Sequence, residues 1–496
     1  MANFADSTRA FVEWLQGPAE IVLSPKIKVD DLREVNQGRC VIAIEDIEKD
    51  EILFEVPRTT MLNVENCELS KRYPEIKNHL VESVGQWEGL IIALLFEWKV
   101  VGEKSKWWPY LQVLPKKTDM NQLIYWADDE LELLKPSLIL ERVGADKAKE
   151  MFENVVDIIN KSTLKEKDSY ILKVTWENFL LVASIIMSYS FDVQDYVEEK
   201  EGGTDEEEDD NESENVRSLK CMIPLADTLN SNTHKCNAHL IHGSNLLEMR
   251  SIKAIKKGEQ IYNIYGDHPN SEILRRYGYI EPDGSKFDFG EIPMETFIKI
   301  FMEKYPDTKA EELLVNVSNL LQTDPSLLEI LEYEDVTFES CECYADGDIP
   351  DEFVLTIQIL TVMLQLPGRG RMSSDEVSRQ LRRVTKKCLQ LLQAGKITDQ
   401  CNSIWQMTIK ERQSQYPEYA ATSPDISQLE STRETSVSRK LMAHIVLHGE
   451  VKALKSCSSR LPEKYAIVPD TKLLNNISKR KSEDEGAKGR QKKRRH

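Results

Sequence analysis

Gln260-Ile261-Tyr262-Asn263-Ile264-Tyr265-Gly266 is followed after a short gap by Arg276-Tyr277-Gly278-Tyr279. The first stretch reads as a β-strand, rich in β-branched and aromatic side chains and closed by glycine, and it sets the phenol of Tyr265 on the turn that leaves the strand. Upstream, Leu247-Glu248-Met249-Arg250-Ser251-Ile252 reads as a strand and Lys256-Lys257-Gly258-Glu259 as a turn. The same layout stands about two hundred residues earlier. There Asn36-Gln37-Gly38 gives a turn, Cys40-Val41-Ile42-Ala43-Ile44 a strand, Glu48-Lys49-Asp50-Glu51 a turn, and Ile52-Leu53-Phe54-Glu55-Val56 a strand stopped by Pro57. Ile44, Ile47, Lys49, Glu51, Leu53 and Val56 match Ile252, Ile255, Lys257, Glu259, Ile261 and Ile264. Two β-hairpin units are therefore expected to flank a long insertion.

The insertion reads as helical. Trp87 to Trp98 and Trp176 to Met187 are apolar for too long to be strands, and are expected as buried helices. Phe4, Phe11, Trp14 and Leu15 recur at helical spacing, so the chain opens on an amphipathic helix. After Gly290 the β signal fades. Helical windows such as Glu352 to Leu366, ended by Pro367-Gly368, and Ser374 to Leu392 follow. The expected class is α+β: a mostly β domain over residues 21–290, behind an N-terminal helix at 1–20 and ahead of an all-helical domain at 291–457 and a tail at 458–496. Within the first domain the helical insertion covers about 62–190, an acidic loop 197–216, and a closing segment 267–290.

Composition narrows the class. With 41% hydrophobic and 30% charged residues, the chain of 496 residues has the makeup of a soluble globular protein of two or three domains. No apolar run is long enough to cross a membrane, and Met1-Ala2-Asn3-Phe4-Ala5-Asp6 lacks the basic and apolar regions of a signal peptide. Nine cysteines without a repeated Cys-x-x-Cys spacing fit reduced thiols. The net charge of −20 is uneven: from Glu198 to Glu214 eleven carboxylates face one lysine. That block is a solvated loop, or one that steers a basic protein toward the chain. Lys479-Arg480-Lys481 and Lys492-Lys493-Arg494-Arg495 have the spacing of a two-part nuclear localisation signal, which implies an import receptor as partner and the nucleus as destination. The alternatives for that tail are a solubilising role or a nucleic-acid contact, and the acidic body argues against direct nucleic-acid binding. His234, Cys236, His239 and His242 superficially suggest a metal site, but the spacing is irregular and no second cysteine pair supports it, so no metal is expected.

A third segment, Pro224-Leu225-Ala226-Asp227-Thr228-Leu229-Asn230, completes a pattern. In this order the segments resemble the cofactor and lysine-channel motifs of SET-domain protein lysine methyltransferases, in the branch of the Rubisco large-subunit methyltransferase. The resemblance covers about Ile21 to Gly290 by motif. It implies S-adenosyl-L-methionine as cofactor and transfer of a methyl group to a protein lysine. Such a lysine, with a pKa near 10.4, must first lose its proton, which an apolar channel beside a sulfonium favours.

Residue by residue, the resemblance makes Tyr265 and Tyr277 catalytic, Tyr265 orienting the amine and touching the methyl donor, Tyr277 forming a second channel wall. Gln37, Gly38, Arg39, Tyr189, Asn230, Ser231 and Tyr265 fall on the cofactor side, and Trp107, Asp227 and Tyr277 on the substrate side. Two departures from the family pattern stand out. Ser231 stands where histidine is usual, and Arg39-Cys40 replaces an aromatic or leucine followed by glycine. Within the branch, Ala226 to Asn230 with Lys235 to Ala238, and Tyr262 to Glu272, look most like the fungal ribosomal lysine N-methyltransferases of type four. That likeness implies monomethylation of a basic large-subunit ribosomal protein, the one numbered forty-two. The alternatives are a catalytically weak scaffold that binds ribosomal or chromatin proteins, for which Ser231 is the best support, and a methyltransferase of histone or other non-ribosomal lysines.

Overall fold

A computed structural model describes residues 3–35, 37–194, 218–306, 308–331, 340–368, 372–427, 429 and 435–477. The acidic block and both basic clusters lie outside them. The chain gathers into two compact units. The first takes in Met1–Leu131, Glu141–Glu281 and Ser427–Thr432, and the second Glu132–Leu140, Pro282–Ile426 and Arg433–His496.

In the first unit, α1 (Phe4–Gln16) is capped by the Asn3 side chain, which accepts the Asp6 N–H. Its apolar stripe, Phe11, Trp14 and Leu15, is buried, and Trp14 stacks on Tyr110 with ring centroids 6.4 Å apart. Among the described residues ten strands follow: β1 (Val22–Leu23), β2 (Ile27–Asp31), β3 (Arg39–Ala43), β4 (Ile52–Pro57), β5 (Ser190–Gln194), β6 (Ser218–Met222), β7 (Asn230–Ser231), β8 (Ala238–His242), β9 (Leu246–Ser251) and β10 (Gln260–Asn263). They form one sheet of order β1-β4-β9-β8, a second of order β2-β3-β10-β7, and the ribbon β5-β6.

The repeated units are not hairpins. β3 pairs with β10 and β4 with β9, so the two strands of each unit lie in different sheets. The connectors, Ile44 to Glu51 and Ile252 to Glu259, are too long for a tight hairpin turn and cross from one sheet to the other. Halfway along, Ile47 and Ile255 exchange both backbone hydrogen bonds at 2.9 Å, with side chains 1% and 0% exposed. The repeat in the sequence thus records two crossovers that meet at one buried bridge.

The helical insertion stands as expected. α2 (Gln86–Leu95) is buried on all sides from Gly89 to Leu95. α3 (Trp176–Tyr189) starts at a Thr175–Asn178 capping box, packs Phe179, Val182, Ile185 and Ile186 into the core, and ends on Tyr189 where β5 begins. α4 (Asn270–Tyr277) follows β10 and stops at Gly278.

The second unit is helical, with α5 (Met294–Lys304), α6 (Asp351–Gln365), α7 (Ser374–Gln393), α8 (Asp399–Ser414) and α9 (Thr435–Ser458) among its elements. It also carries two ribbons, β11 (Phe289–Pro293) against β12 (Ser340–Tyr344) and β13 (Lys396–Thr398) against β14 (Ala466–Val468). Phe297, Phe353 and Trp405 pack at its centre. The stretch Glu132–Leu140 is tied into this unit from a distant part of the sequence. Arg412 donates to the Pro136 carbonyl at 2.9 Å, and the buried Glu450 carboxylate accepts from the hydroxyls of Ser137 and Tyr416. Burial pushes Glu450 up to about 7.

Ile255→Ala is expected to lower stability by about 2–5 kcal/mol, because it leaves a cavity at the crossing. Ile252→Ala, at a side chain 44% exposed, is expected to stay within about 0.5 kcal/mol. The shift in urea midpoint of each variant checks the pair.

Candidate active site

The site grows from the end of β10. This strand pairs antiparallel with β3 on one side and parallel with β7 on the other, which sets Tyr262 beside Asn230 and Asn263 beside Ser231. Asn237 fixes the edge of Tyr262 by acting as a strand in miniature. Its amide accepts the Tyr262 N–H at 2.8 Å and donates to the Gln260 carbonyl at 2.9 Å. Beyond Asn263 the chain turns out of the sheet through Tyr265 and Gly266.

Three phenols converge there. The ring of Tyr265 lies 4.8 Å from that of Tyr277 and 6.5 Å from that of Tyr279, centroid to centroid. Each hydroxyl donates to a backbone carbonyl: Tyr265 to Leu229 at 2.7 Å, Tyr277 to Tyr265 at 3.2 Å, and Tyr279 to Ser231 at 3.5 Å. With their protons so placed, the three oxygens turn only lone pairs toward the remaining space. Burial, reinforced by Tyr279, Tyr189, Tyr277 and Asp227, holds the Tyr265 hydroxyl well above the ordinary phenol range, so it stays neutral. Burial also raises Tyr277 and Tyr279.

Tyr189 and Asp227 stand within electrostatic reach of this cluster. Burial, with Asp227 and Asp119 adding to it, pushes Tyr189 up to about 12. Asp227 is 7% exposed and accepts the Tyr110 hydroxyl, and burial raises its carboxyl to about 7. Leu225, two residues before it, is fully buried with φ of 73°, a conformation that a side chain adopts only under constraint.

Two glycines let the elements close up. Gly278 ends α4 with φ of 76°, and a Cβ there would lie 2.8 Å from the backbone of Asn121 and Gln122. Asn121 seals the approach by donating its amide to the Gly278 carbonyl at 2.9 Å. Ser188 donates to the Arg276 carbonyl at 2.7 Å, joining the ends of α3 and α4. At Gly38, with φ of 64°, a Cβ would meet nothing within 4 Å, so the backbone there borders open space. Beside it the Asn230 amide donates to the Gln37 carbonyl at 3.2 Å and to Gln260 Oε1 at 2.7 Å, which leaves Asn230 Oδ1 as an acceptor. An open glycine turn, a spare amide oxygen and adjacent main chain make a donor and acceptor set that fits a flexible polar ligand.

The structure thus brings Tyr265, Tyr277, Tyr189, Asp227 and Ser231 together, and groups Gln37, Gly38 and Asn230 next to them through β7 and β10. Arg39 points its guanidinium elsewhere. It donates to Thr8 Oγ1, Ser7 Oγ and the Val113 carbonyl and lies over the Phe4 ring, with burial lowering it to about 10. Trp107 is 1% exposed and gives its indole N–H to the Thr60 carbonyl at 2.7 Å, so it lies in the core rather than at the surface of the site. Two participants had no assigned role in the sequence reading, Tyr279 and Tyr110. The Tyr-Gly-Tyr spacing offered a signal for the first; Tyr110, which reaches Asp227 across 117 positions, had none. Among the described residues no group of three or more His, Cys, Asp or Glu side chains could hold a metal ion.

Gly278→Ala is expected to cost about 2–4 kcal/mol, since the methyl group meets backbone and the left-handed φ is disfavoured; thermal unfolding measures it. For Asp227 the sign follows from a folded value raised from 3.8 to about 7. Between those values the folded chain keeps a proton that the unfolded chain has lost, so this contribution is whole below pH 3.8 and is lost as the pH rises through 7. Asp227→Asn is expected to flatten the fall of stability across that window, as read by denaturant titrations at several pH values.

Comparison with known proteins gives a consistent set. Residues 38–266 match the SET domain family. Over 489 residues, 98% of each chain, the sequence is 42% identical to ribosomal lysine N-methyltransferase 4 of Saccharomyces cerevisiae. It is 33% identical to N-lysine methyltransferase setd6 of Danio rerio over 49% of this chain and 50% of that one. In fold, it superposes on Rubisco LSMT bound to AdoMet with a TM-score of 0.58 at 17% identity, covering 94% of this chain and 92% of that one.

Proposed function

The chain belongs to the SET-domain protein lysine N-methyltransferases, and we propose that its substrate is a lysine of a basic large-subunit ribosomal protein, the one numbered forty-two, which it carries to monomethyl-lysine. It is an enzyme that uses S-adenosylmethionine. When bound, this cofactor supplies a methyl group on a positively charged sulfur, open to in-line attack. In this reading the turn at Gln37, Gly38 and Arg39, the Asn230 amide, the main chain of Ser231 and the Tyr189 and Tyr265 rings hold it. Asp227 and Tyr277 face the substrate, and Trp107 is assigned to the same side by resemblance.

The observation that carries the reading is the placement of the phenol protons. An amine arriving at the hydroxyls of Tyr265 and Tyr277 meets oxygens whose O–H bonds already point at carbonyls, so its own N–H groups donate to them. That turns the nitrogen lone pair away from the tyrosines and fixes its direction. Tyr265, raised far above neutrality, serves as an orienting group and takes no proton from the ammonium, which must release its proton toward water before it attacks. A neutral primary amine satisfies both phenols with its two N–H bonds. Once methylated it has one N–H left, so repeating the geometry forfeits a hydrogen bond, and this favours a single transfer.

For the substrate class, support comes from the near full-length likeness to a protein named as a ribosomal lysine methyltransferase. The net charge of −20 suits a basic target. The paired basic clusters at 479–481 and 492–495 support import into the nucleus, where such a protein would meet the enzyme before ribosome assembly.

Incubation of the purified chain with labelled S-adenosylmethionine and total large-subunit ribosomal proteins is expected to label one small basic protein, which mass spectrometry identifies with a mass gain of one methyl group. Labelling of histones alone would overturn the substrate assignment. Tyr265→Phe is expected to lower kcat about 100-fold with the fold intact by circular dichroism.

A further inference from the structure

Ser231 stands where a histidine is usual, and its hydroxyl has a task that its main chain does not share. The serine ends β7, in register with Asn263, the last residue of β10. Past that point the carbonyl of Ser231 is taken by the Tyr279 hydroxyl, and the side-chain Oγ accepts the backbone N–H of Tyr265 at 3.2 Å. The side chain thus prolongs the strand pairing by one acceptor, at the residue where the backbone leaves the sheet. Gly266 follows at once with φ of 139°, so downstream of Tyr265 the backbone offers little resistance to rotation. Upstream, the ladder has already ended.

We propose that the Ser231 hydroxyl is the positioning group that aims the Tyr265 phenol. The two peptide groups that flank the Tyr265 Cα are each held once: the N–H of the Ile264–Tyr265 peptide by Ser231 Oγ, and the C=O of the Tyr265–Gly266 peptide by the Tyr277 hydroxyl. Removing the first frees the Ile264–Tyr265 peptide plane to turn, and the Tyr265 side chain turns with the Cα that the plane carries, while the Tyr277 hydroxyl still holds only the following peptide. The hydrogen bond of Tyr265 to Leu229 constrains only the far end of the ring. Ser231 therefore acts through Tyr265, and its loss is felt in the orientation of the amine more than in cofactor retention, to which the Ser231 main chain contributes. The departure from the family's histidine is on this account a working substitution. The inference rests on the methyl-transfer reading above.

The test uses the full chain, with Ser231→Ala and with Ser231→Thr, which restores a hydroxyl. S-adenosylmethionine affinity is measured by calorimetry, methyl transfer with total large-subunit ribosomal proteins, and the Tyr265 amide by hydrogen exchange in the absence of ligand. Ser231→Ala is expected to lower kcat about 10-fold, to keep the cofactor Kd within about two-fold and to exchange the Tyr265 amide faster, while Ser231→Thr recovers kcat and amide protection. Unchanged kcat in the alanine variant, a loss lying wholly in cofactor Kd, or a threonine variant as impaired as alanine would each overturn the proposal. Absence of transfer by the unmodified chain would instead overturn the functional reading, and the amide protection would still report whether Ser231 anchors Tyr265.

Discussion

A phenol with a carbonyl to donate to becomes an acceptor for everything else, and the chemistry of this site depends on that constraint. Tyr265, Tyr277 and Tyr279 find their carbonyls at Leu229, Tyr265 and Ser231, which lie on two adjoining stretches of backbone. Those stretches are adjacent because β7 and β10 run parallel side by side, a pairing that no short loop could produce. The sheet topology is therefore a condition for the polarity of the tyrosine cluster, beyond its shape. Pushing all three hydroxyls above their ordinary range by burial makes the arrangement insensitive to pH near neutrality.

The same economy governs the elements around it. Two connectors that look like hairpin loops instead carry the chain between sheets, and the reciprocal bridge of Ile47 and Ile255 lets both cross at one place. The helical insertion returns through α3, whose last residue is Tyr189, so a long excursion in sequence ends with a side chain beside the tyrosines. Gly278 then lets the Tyr277–Tyr279 segment lie directly on the backbone of Asn121 and Gln122. Any larger residue would hold the last two phenols away from the first.

Much of this was legible from residue order. The strands at 39–43, 52–57, 246–251 and 260–263, the buried helices at 86–95 and 176–189, and the helical character past Gly290 all follow from periodicity and from glycine and proline placement. Pairing was not legible, because a strand, a turn and a strand describe a hairpin and a sheet crossing equally well; the pairing of β3 with β10 and of β4 with β9 separates them. Among site residues, the motif positions at 265, 277 and 189 lie within reach of one another. The direction of a long side chain was beyond reach. Arg39 has its backbone in β3 and its guanidinium on α1, and Trp107 lies in the core while its neighbour Tyr110 reaches Asp227. Such choices are made by partners far away in sequence.

The tie of Glu132–Leu140 to the second unit bears on how the protein can be dissected. A fragment beginning at Pro282 would contain every helix from α5 to α9 and still lack Ser137 and the Pro136 carbonyl. Glu450 would then keep only Tyr416 as a hydroxyl donor in an apolar interior, and Arg412 would lose an acceptor. Expression of the C-terminal half as an autonomous module would call for that short upstream peptide to be supplied, in trans or by grafting, as a missing piece of its interior.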